Sequence, residues 1–374
     1  MSAIGAGLDR PGSTSVDERS RTGTGALREL SSVSVIIPSY NYAHYLPGCV
    51  DSVLSQPGVE VEVLVIDDCS SDDTPLVGQR LAGDPRVTFR RHPVNQGHIA
   101  TYNEGLDWAS ADYVAVLSAD DLLVPGSLAR AVGALDACPS AGFVYGRPVY
   151  FETNEAIPVA RTGEPQARHW TGRDWIAQRC RTATSCISSP EVVVRTSLQR
   201  ELGGYRTDLP HAGDLEMWLR FAAHADVIYL GGVDQAYYRR HAQSMMRTTF
   251  ADQLADLRQR RQAFDAVFER YGSQVAGAAD LQEQSHKALA REALWRACRS
   301  LDRRQFDPEE VDSLADFASE TYPQAPSLLE HRGLAWRLRV GPEWSARARP
   351  LLPGTYLHKV RDALWWRRWR ASGV

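Results

Sequence analysis

Long apolar runs are missing from this 374-residue chain. No stretch approaches the roughly 20 consecutive apolar residues that a membrane-spanning helix needs. Near Met1 there is no apolar core of the kind a secretory signal carries. Residues 1–29 are instead rich in Gly, Ser, Thr and Arg, a composition that predicts disorder. Cysteine is sparse: Cys49, Cys69, Cys138, Cys180, Cys186 and Cys298 stand apart, with no CxxC and no spacing that suits a zinc site. That usage predicts free thiols in a reducing cytoplasm. Strong net charge is missing too, since the balance is -4 at pH 7, and this excludes a whole-protein binder of nucleic acid. No internal repeat marks a solenoid.

Hydrophobic residues make up 43% and charged residues 24%, ordinary globular values that permit one large core with a smaller domain beside it. The first half alternates short apolar runs with helical spacings. Residues 34–38, 61–66, 87–89 and 113–117 read as strands. Leu46, Val50, Val53 and Leu54 share a helical face, Asp72-Asp73-Thr74 opens a second helix, and a third runs from the turn at Asn95-Gln96-Gly97 to about Ala109. Pro125 is expected at the first turn of a fourth. This order predicts an α/β layered fold with a parallel sheet.

Beyond Gly142 the pattern changes. Residues 143–152 read as one long strand, 190–194, 227–230 and 236–241 as further strands, and 214–223 as a short amphipathic helix. These predict a mixed sheet extending the first. Residues 250–271 and 281–301 are helical in spacing. The stretch 331–374 holds ten Arg or Lys against two acids, a net of +8, and five of the ten Trp. It reads either as an amphipathic helix on an anionic membrane or partner, or as a helix packing its Trp on the domain. The expected division is a disordered segment 1–30, an α/β domain 31–245 and a helical region 246–374.

The polar residues at the strand ends carry the chemistry. The first strand runs into Pro38-Ser39-Tyr40-Asn41, the second into Asp67-Asp68, and the fourth into Ser118-Ala119-Asp120-Asp121. Ligands in such sheets bind outside the carboxyl ends of strands, and carboxylates gathered there suit a divalent metal carrying phosphates.

These pieces, with Asn95-Gln96-Gly97, Asn103-Glu104-Gly105-Leu106, Gly213-Asp214-Leu215-Glu216-Met217-Trp218-Leu219-Arg220 and Tyr238-Arg239-Arg240-His241, stand in the order found in the family 2 glycosyltransferases, and residues 33–241 resemble that family. The resemblance implies a GT-A fold, Rossmann-like, with a helical C-terminal extension. It implies an inverting, hexosyltransferase-type enzyme that takes a sugar from a UDP- or dTDP-linked donor. The acceptor would be a hydroxyl on a saccharide, a lipid-linked sugar or a small molecule. By the same resemblance Asp68 accepts a hydrogen bond from the base, with Pro38, Tyr40 and Asn41 shaping the wall beside it. Gly97, Asn103, Ser118, Ala119 and Asp120 complete the donor site, and Asp120 and His241 hold Mg²⁺ or Mn²⁺. Asp214 is the implied catalytic base, with Glu216 in reserve, and Gly203-Gly204-Tyr205 lines the acceptor side. His98, His211 and Arg239 stand as further contacts to phosphate or acceptor.

Two positions depart from the family pattern. Ser118 replaces the first Asp of its DxD motif, and Gly213 replaces the Glu of its acidic pair. Simpler roles stand beside the functional ones, because Asp67, Asp68 and Asp214 can each cap the helix that follows. A non-catalytic sugar-nucleotide scaffold is one alternative. A nucleotidyltransferase is another, but the Gly-rich, Lys- or Arg-bearing phosphate loop it would carry after the first strand is Pro38-Ser39-Tyr40-Asn41-Tyr42 here. The expected location is the cytoplasm, with a peripheral contact at the inner face of the membrane as one reading of the tail.

Overall fold

The computed structural model describes residues 30–153, 155–241, 252–303, 307–348 and 353–374; the disorder expected at 1–29 lies outside them. Ser31–Val374 forms one compact unit. Its centre is an eight-stranded mixed sheet in the order β3-β2-β1-β4-β9-β6-β10-β8. The strands are β1 Ser32–Ser39, β2 Glu60–Asp67, β3 Val87–Arg91, β4 Tyr113–Val116, β6 Ala141–Tyr145, β8 Gln166–Trp170, β9 Val192–Arg195 and β10 Asp226–Gly231. A smaller sheet joins β5 Leu122–Leu123, β11 Ala236–Arg240 and β7 Pro148–Glu152.

β1 shows why the sheet is layered. Val33, Val35, Ile36 and Ile37 are all fully buried, as both faces of a covered parallel strand must be. Successive side chains point to opposite faces. Val35 and Ile37 therefore pack with α1 (Leu46–Leu54) and α4 (Ser127–Ala137). Ile36 packs with α3 (His98–Trp108), α5 (Gly172–Thr182) and α7 (Gly213–Ala222). α3 can lie this close because Gly105 has no side chain: a Cβ there would sit 2.2 Å from Ile36 Cγ2. The remaining helices of this half are α2 (Thr74–Leu81) and α6 (Thr196–Leu202).

The apolar cluster on the Ile36 face continues without a break into the C-terminal helices α8 (Gln253–Tyr271), α9 (Ala278–Leu301), α10 (Pro308–Thr321) and α11 (Leu329–Val340). Two further helices follow, α12 (Pro342–Ala348) and α13 (Pro353–Ser372). Trp369 is buried and donates its indole N–H to Cys186 O at 2.9 Å. Trp170 Nε1 donates to Ser372 O at 3.0 Å. The tail thus docks on the sheet through Trp369 and its last residues, while Leu364 and Trp366 face outward. Among the described residues no helix is long and apolar enough to cross a membrane.

Several expected elements differ. Residues 143–152 are two strands, not one, because the chain leaves the large sheet after Tyr145 and enters the small one at Pro148. Gly146 makes the crossing by passing against the Gln235 side chain. Pro125 precedes α4, which starts at Ser127 behind Gly126 at φ +74°. β8 and α5 were not anticipated, although Thr171 caps α5 by accepting from Asp174 N at 3.2 Å, a local signal that sequence alone offers.

Candidate active site

Strand pairing gathers the site. β1 pairs in parallel with both β2 and β4, so Ser39, Asp67 and the 117–121 segment emerge at one edge. β9 runs antiparallel to β4, with Tyr113 opposite Arg195 and Val114 opposite Val194. The residues before Val192 therefore return to that same edge. β11 pairs with β5 directly behind Asp121 and brings Arg239 and His241 alongside. The first turn of α7 supplies Asp214.

On the β2 side, Asp68 is turned inward. Its Oδ1 accepts from Gln96 N at 2.7 Å and its Oδ2 from Gly97 N at 2.9 Å. Gly97 takes φ +85°, which lets that turn form. His92 bridges Asp68 (Nδ1, 2.8 Å) and Glu104 (Nε2, 2.8 Å). Burial pulls the His92 pKa down, but the hydrogen bonds and charges of those two carboxylates outweigh it and hold it above its usual value. Asn41, at φ +59°, accepts from Ser71 N at 2.8 Å and donates its own N–H to Ser70 Oγ. Asp68, Gly97 and Asn41 thus tie the loops after β1, β2 and β3 together, and Tyr40 is left half exposed beside them.

At the end of β4, Asp121 N donates to Ser118 O at 3.0 Å, folding 118–121 into a turn. Asp120 faces His241, with Oδ2 2.9 Å from Nε2, and its Oδ1 is buried with no hydrogen-bond partner. Arg239 donates its backbone N–H to Asp121 Oδ1 and its Nε–H to Asp120 O, both at 2.8 Å. Its guanidinium is clamped between the rings of Tyr45 and Phe151, 4.5 and 4.4 Å from their centroids. Burial, then the neighbouring Asp120, pushes the Asp121 carboxyl well above the usual range.

A buried anionic oxygen without a donor is costly unless something satisfies it. Asp120 Oδ1 beside His241 therefore fits a divalent cation. Among the described residues no group of three or more His, Cys, Asp or Glu is arranged to hold a metal. A cation here would rest on two protein ligands and take the rest of its oxygens from substrate and water, as Mg²⁺ and Mn²⁺ commonly do.

Facing this cluster, Asp214 Oδ2 accepts from Ser189 Oγ at 2.7 Å. Burial pushes the Asp214 carboxyl up, against the lowering pull of hydrogen bonds from Ser189 and Tyr205 and the charges of His98 and His211. Asn103 brackets Tyr205, donating to its O at 2.9 Å and accepting from its N at 2.7 Å. A side chain at Gly204 would meet Asn103 Oδ1 at 2.2 Å, so this loop is a fitted part and more than a flexible turn. Arg220 secures the same loop by donating to Gly203 O and Gly204 O. Glu216 is spent on Arg220 (Nη2, 3.0 Å) and does not join Asp214. His98 Nε2 bonds Pro210 O, and His211 Nε2 bonds Asp256 Oδ1 at 2.9 Å.

The structure therefore brings Asp120, His241, Arg239 and Asp214 to one edge and gives Asp68, Asn41, Gly97 and Asn103 framework contacts beside them. Sequence reading missed Ser189, Glu191 and His92. Ser188-Ser189-Pro190-Glu191 reads only as turn chemistry, and nothing local ties it to Asp214. An open groove of about 610 Å³ lies at the opposite edge of the sheet, near Ser140, Arg173 and Arg195, and holds none of these carboxylates.

A family model described as glycosyl transferase family 2 matches residues 34–188. An uncharacterized protein of Mycobacterium tuberculosis is 29% identical over 210 residues, 53% of this chain and 64% of that protein. The succinoglycan biosynthesis protein ExoO of Rhizobium meliloti is 36% identical over 112 residues, 30% of this chain and 32% of ExoO. The chain thus spans less than two thirds of the length of these relatives. S. aureus TarS 1-349, crystallised with UDP-GlcNAc, superposes with a TM-score of 0.61 at 17% identity, over 86% of this chain and 92% of that one. That likeness is one of fold.

Proposed function

Residues 34–188 of this chain belong to glycosyl transferase family 2, and from that premise we propose that the protein is an inverting glycosyltransferase that moves a sugar from a nucleoside diphosphate to a hydroxyl acceptor. The observation that carries this reading is the pairing, across one sheet edge, of an acidic and cationic cluster (Asp120, Arg239, His241) with a carboxylate (Asp214) held by Ser189. The first suits a leaving diphosphate and the second suits proton removal. TarS has been crystallised with UDP-GlcNAc and with UDP, which supports a UDP-linked donor.

The nucleotide lies in the cleft walled by Tyr40, Asn41 and the 96–97 turn that Asp68 anchors. Asp120 and His241 would hold the divalent metal, which when bound would neutralise charge on the leaving diphosphate. Arg239, clamped between two rings, adds a fixed positive charge at the same place without an ordering cost. Asp214 takes the proton of the acceptor hydroxyl as that oxygen attacks the anomeric carbon. The carbon–oxygen bond to the diphosphate breaks on the opposite side, and the configuration inverts. Ser189 and Tyr205 keep the base aimed while burial keeps it proton-hungry.

The acceptor is a saccharide, a lipid-linked sugar or a small molecule in polysaccharide, glycolipid or natural-product biosynthesis. ExoO's role in succinoglycan biosynthesis supports the first. The setting we propose is cytoplasmic. Exposed Trp336, Trp344 and Trp366 beside Arg339 and Arg367 support a peripheral contact with anionic membrane, which vesicle co-sedimentation with and without anionic lipid would test.

Calorimetric titration with UDP, GDP, dTDP and CDP, each with and without Mn²⁺, tests the central reading. Metal-dependent binding of one of them, followed by release of that diphosphate from its sugar-linked form, is the expected result. Failure of all four to bind would sink it.

A further inference from the structure

Glu191 takes no part in the reaction above, yet it sits inside the site. It lies just before β9 and is 2% exposed. Its Oε1 accepts from Ser188 N at 2.7 Å, and Val192 N donates to Ser189 O at 3.1 Å. These bonds close the 188–191 turn. Ser189, in the middle, has φ +83°, a conformation that residues with a side chain seldom adopt and that persists only when the surroundings hold it. That conformation delivers Ser189 Oγ to Asp214. A second tie, from Ser188 Oγ to Tyr150 Oη at 2.8 Å, fixes the turn to β7. The other oxygen of Glu191, Oε2, is buried with no hydrogen-bond partner.

We propose that Glu191 is a positioning residue for the base: it closes the turn that presents Ser189 to Asp214, and the proton on Glu191 is linked to the charge on Asp214. This deepens the reading of Asp214 as base and rests on it.

The surroundings favour a neutral Glu191. Burial pushes its carboxyl up to about 7, Ser188 N–H draws it down, and the charge of Asp214 pushes it up again. The groups that face it are Asp214 from α7, Asp121 from the turn after β4, Tyr150 on β7, Tyr238 on β11 and Cys186 in the preceding loop. Of these, the charge of Asp214 raises the carboxyl of Glu191, whereas the charge of Glu191, once formed, raises Asp121, Tyr150, Tyr238 and Cys186. Two close carboxyls of this kind titrate as a pair. Burial raises both carboxyls, that of Glu191 to about 7, and the charge of Asp214 adds to the rise at Glu191.

Infrared difference spectra of the full chain across roughly pH 5 to 9 test the link, since each partner's charge shifts the other's titration. In the unsubstituted protein a protonated-carboxyl band should fade near pH 7, and Glu191→Gln should lack it. Asp214→Asn should make the band fade at lower pH, because the neighbouring charge is gone. A band absent from the unsubstituted protein, or a midpoint that ignores Asp214→Asn, overturns the proposal.

The rate of diphosphate release gives a second readout. Glu191→Gln can still accept from Ser188 N–H, so it should keep the acid limb of the pH profile and lose only the inflection near 7. A uniform fall at every pH means packing alone and overturns the proposal. If Asp214→Asn abolishes turnover while Glu191→Gln leaves the profile unchanged, the Glu191 role fails and the base assignment stands. If Asp214→Asn stays active, the base assignment fails, and the role built on it falls too.

Discussion

Ser189 Oγ lies 2.7 Å from Asp214 Oδ2, joining a strained turn at the start of β9 to the first turn of α7 across 25 residues of sequence. Hydroxyls of Ser189 and Tyr205 hold this carboxylate and leave it further lone pairs for a substrate proton. Asp214→Asn should cut turnover by about 10²–10⁴-fold, the range for a lost general base, and leave nucleoside diphosphate affinity intact. Ser189→Ala should cost about tenfold, the equivalent of one hydrogen bond to a charged group. Steady-state kinetics alongside calorimetry read both. A Ser189→Ala loss as large as that of Asp214→Asn would mean that the turn had collapsed.

Asp120 Oδ1 is a buried oxygen without a hydrogen-bond partner. Asp120→Asn should abolish the part of nucleotide affinity that depends on Mn²⁺ and leave the metal-free part. His241→Ala should weaken the same part less, because an imidazole is one ligand of several. Equal affinity with and without Mn²⁺ in the unsubstituted protein would move the charge-neutralising role to Arg239.

His92 gives a pH dependence with a definite sign. Its folded pKa is raised, so the stability it contributes is full below its unfolded value of about 6.5 and is lost as pH rises through the folded value. Glu104 is shifted the other way: burial raises its pKa, but hydrogen bonds from His92 and Arg90 bring it below normal. Its contribution is present above the ordinary carboxylate range and is lost as pH falls through the lowered value. His92→Gln should therefore cost about 1–3 kcal/mol near pH 5–6, and the gap should narrow above neutrality. Urea melts at the two pH values check it; a gap that widens with pH would contradict the bridge to Asp68 and Glu104.

Gly204→Ala should displace Asn103, because the new Cβ falls 2.2 Å from its Oδ1. Overpacking of this kind costs about 1–3 kcal/mol. Since Asn103 holds Tyr205, turnover should fall more than stability alone explains. Asn103→Ala in the same background should restore the melting temperature without restoring turnover.

Asp256 ties the C-terminal helices to the segment just before Asp214. It meets His211 Nε2 at 2.9 Å and Arg296 Nη2 at 2.9 Å. Burial raises its carboxyl, but His211, Arg260 and Arg296 bring it down to about 2. The stability it contributes is thus present above its unfolded value of about 3.9 and is lost as pH falls toward about 2. Asp256→Asn should cost about 1–3 kcal/mol at neutral pH after allowance for its partial exposure. It should also lower turnover through His211, three residues before Asp214. Full activity in a destabilised Asp256→Asn protein would confine the pair to stability.

Much of the framework was legible locally. A buried parallel strand must be apolar on both faces, so β1, β2 and β4 announced themselves, and the polar residues at their ends marked the edge where the site forms. The break at Gly146-Arg147-Pro148 was not legible. Residues on either side have equal strand character, and only the partner Gln235 shows where the chain changes sheets. α5 could have been found from its Thr171 cap; β8, which runs antiparallel to β10 at the sheet's edge, carries no comparable mark.

The sequence by itself determined the elements and the chemical types at their ends, because periodicity, capping and turn preferences act over a few residues. Tertiary structure decided how each carboxylate is held. Asp68 was drawn inward by the 96–97 turn, Glu216 was neutralised by Arg220, and Asp120 kept one oxygen unpaired. It also set Ser189 and Glu191 beside Asp214. Burial and opposing charge are properties of neighbours in space, and antiparallel pairing of β9 with β4 is what made them neighbours.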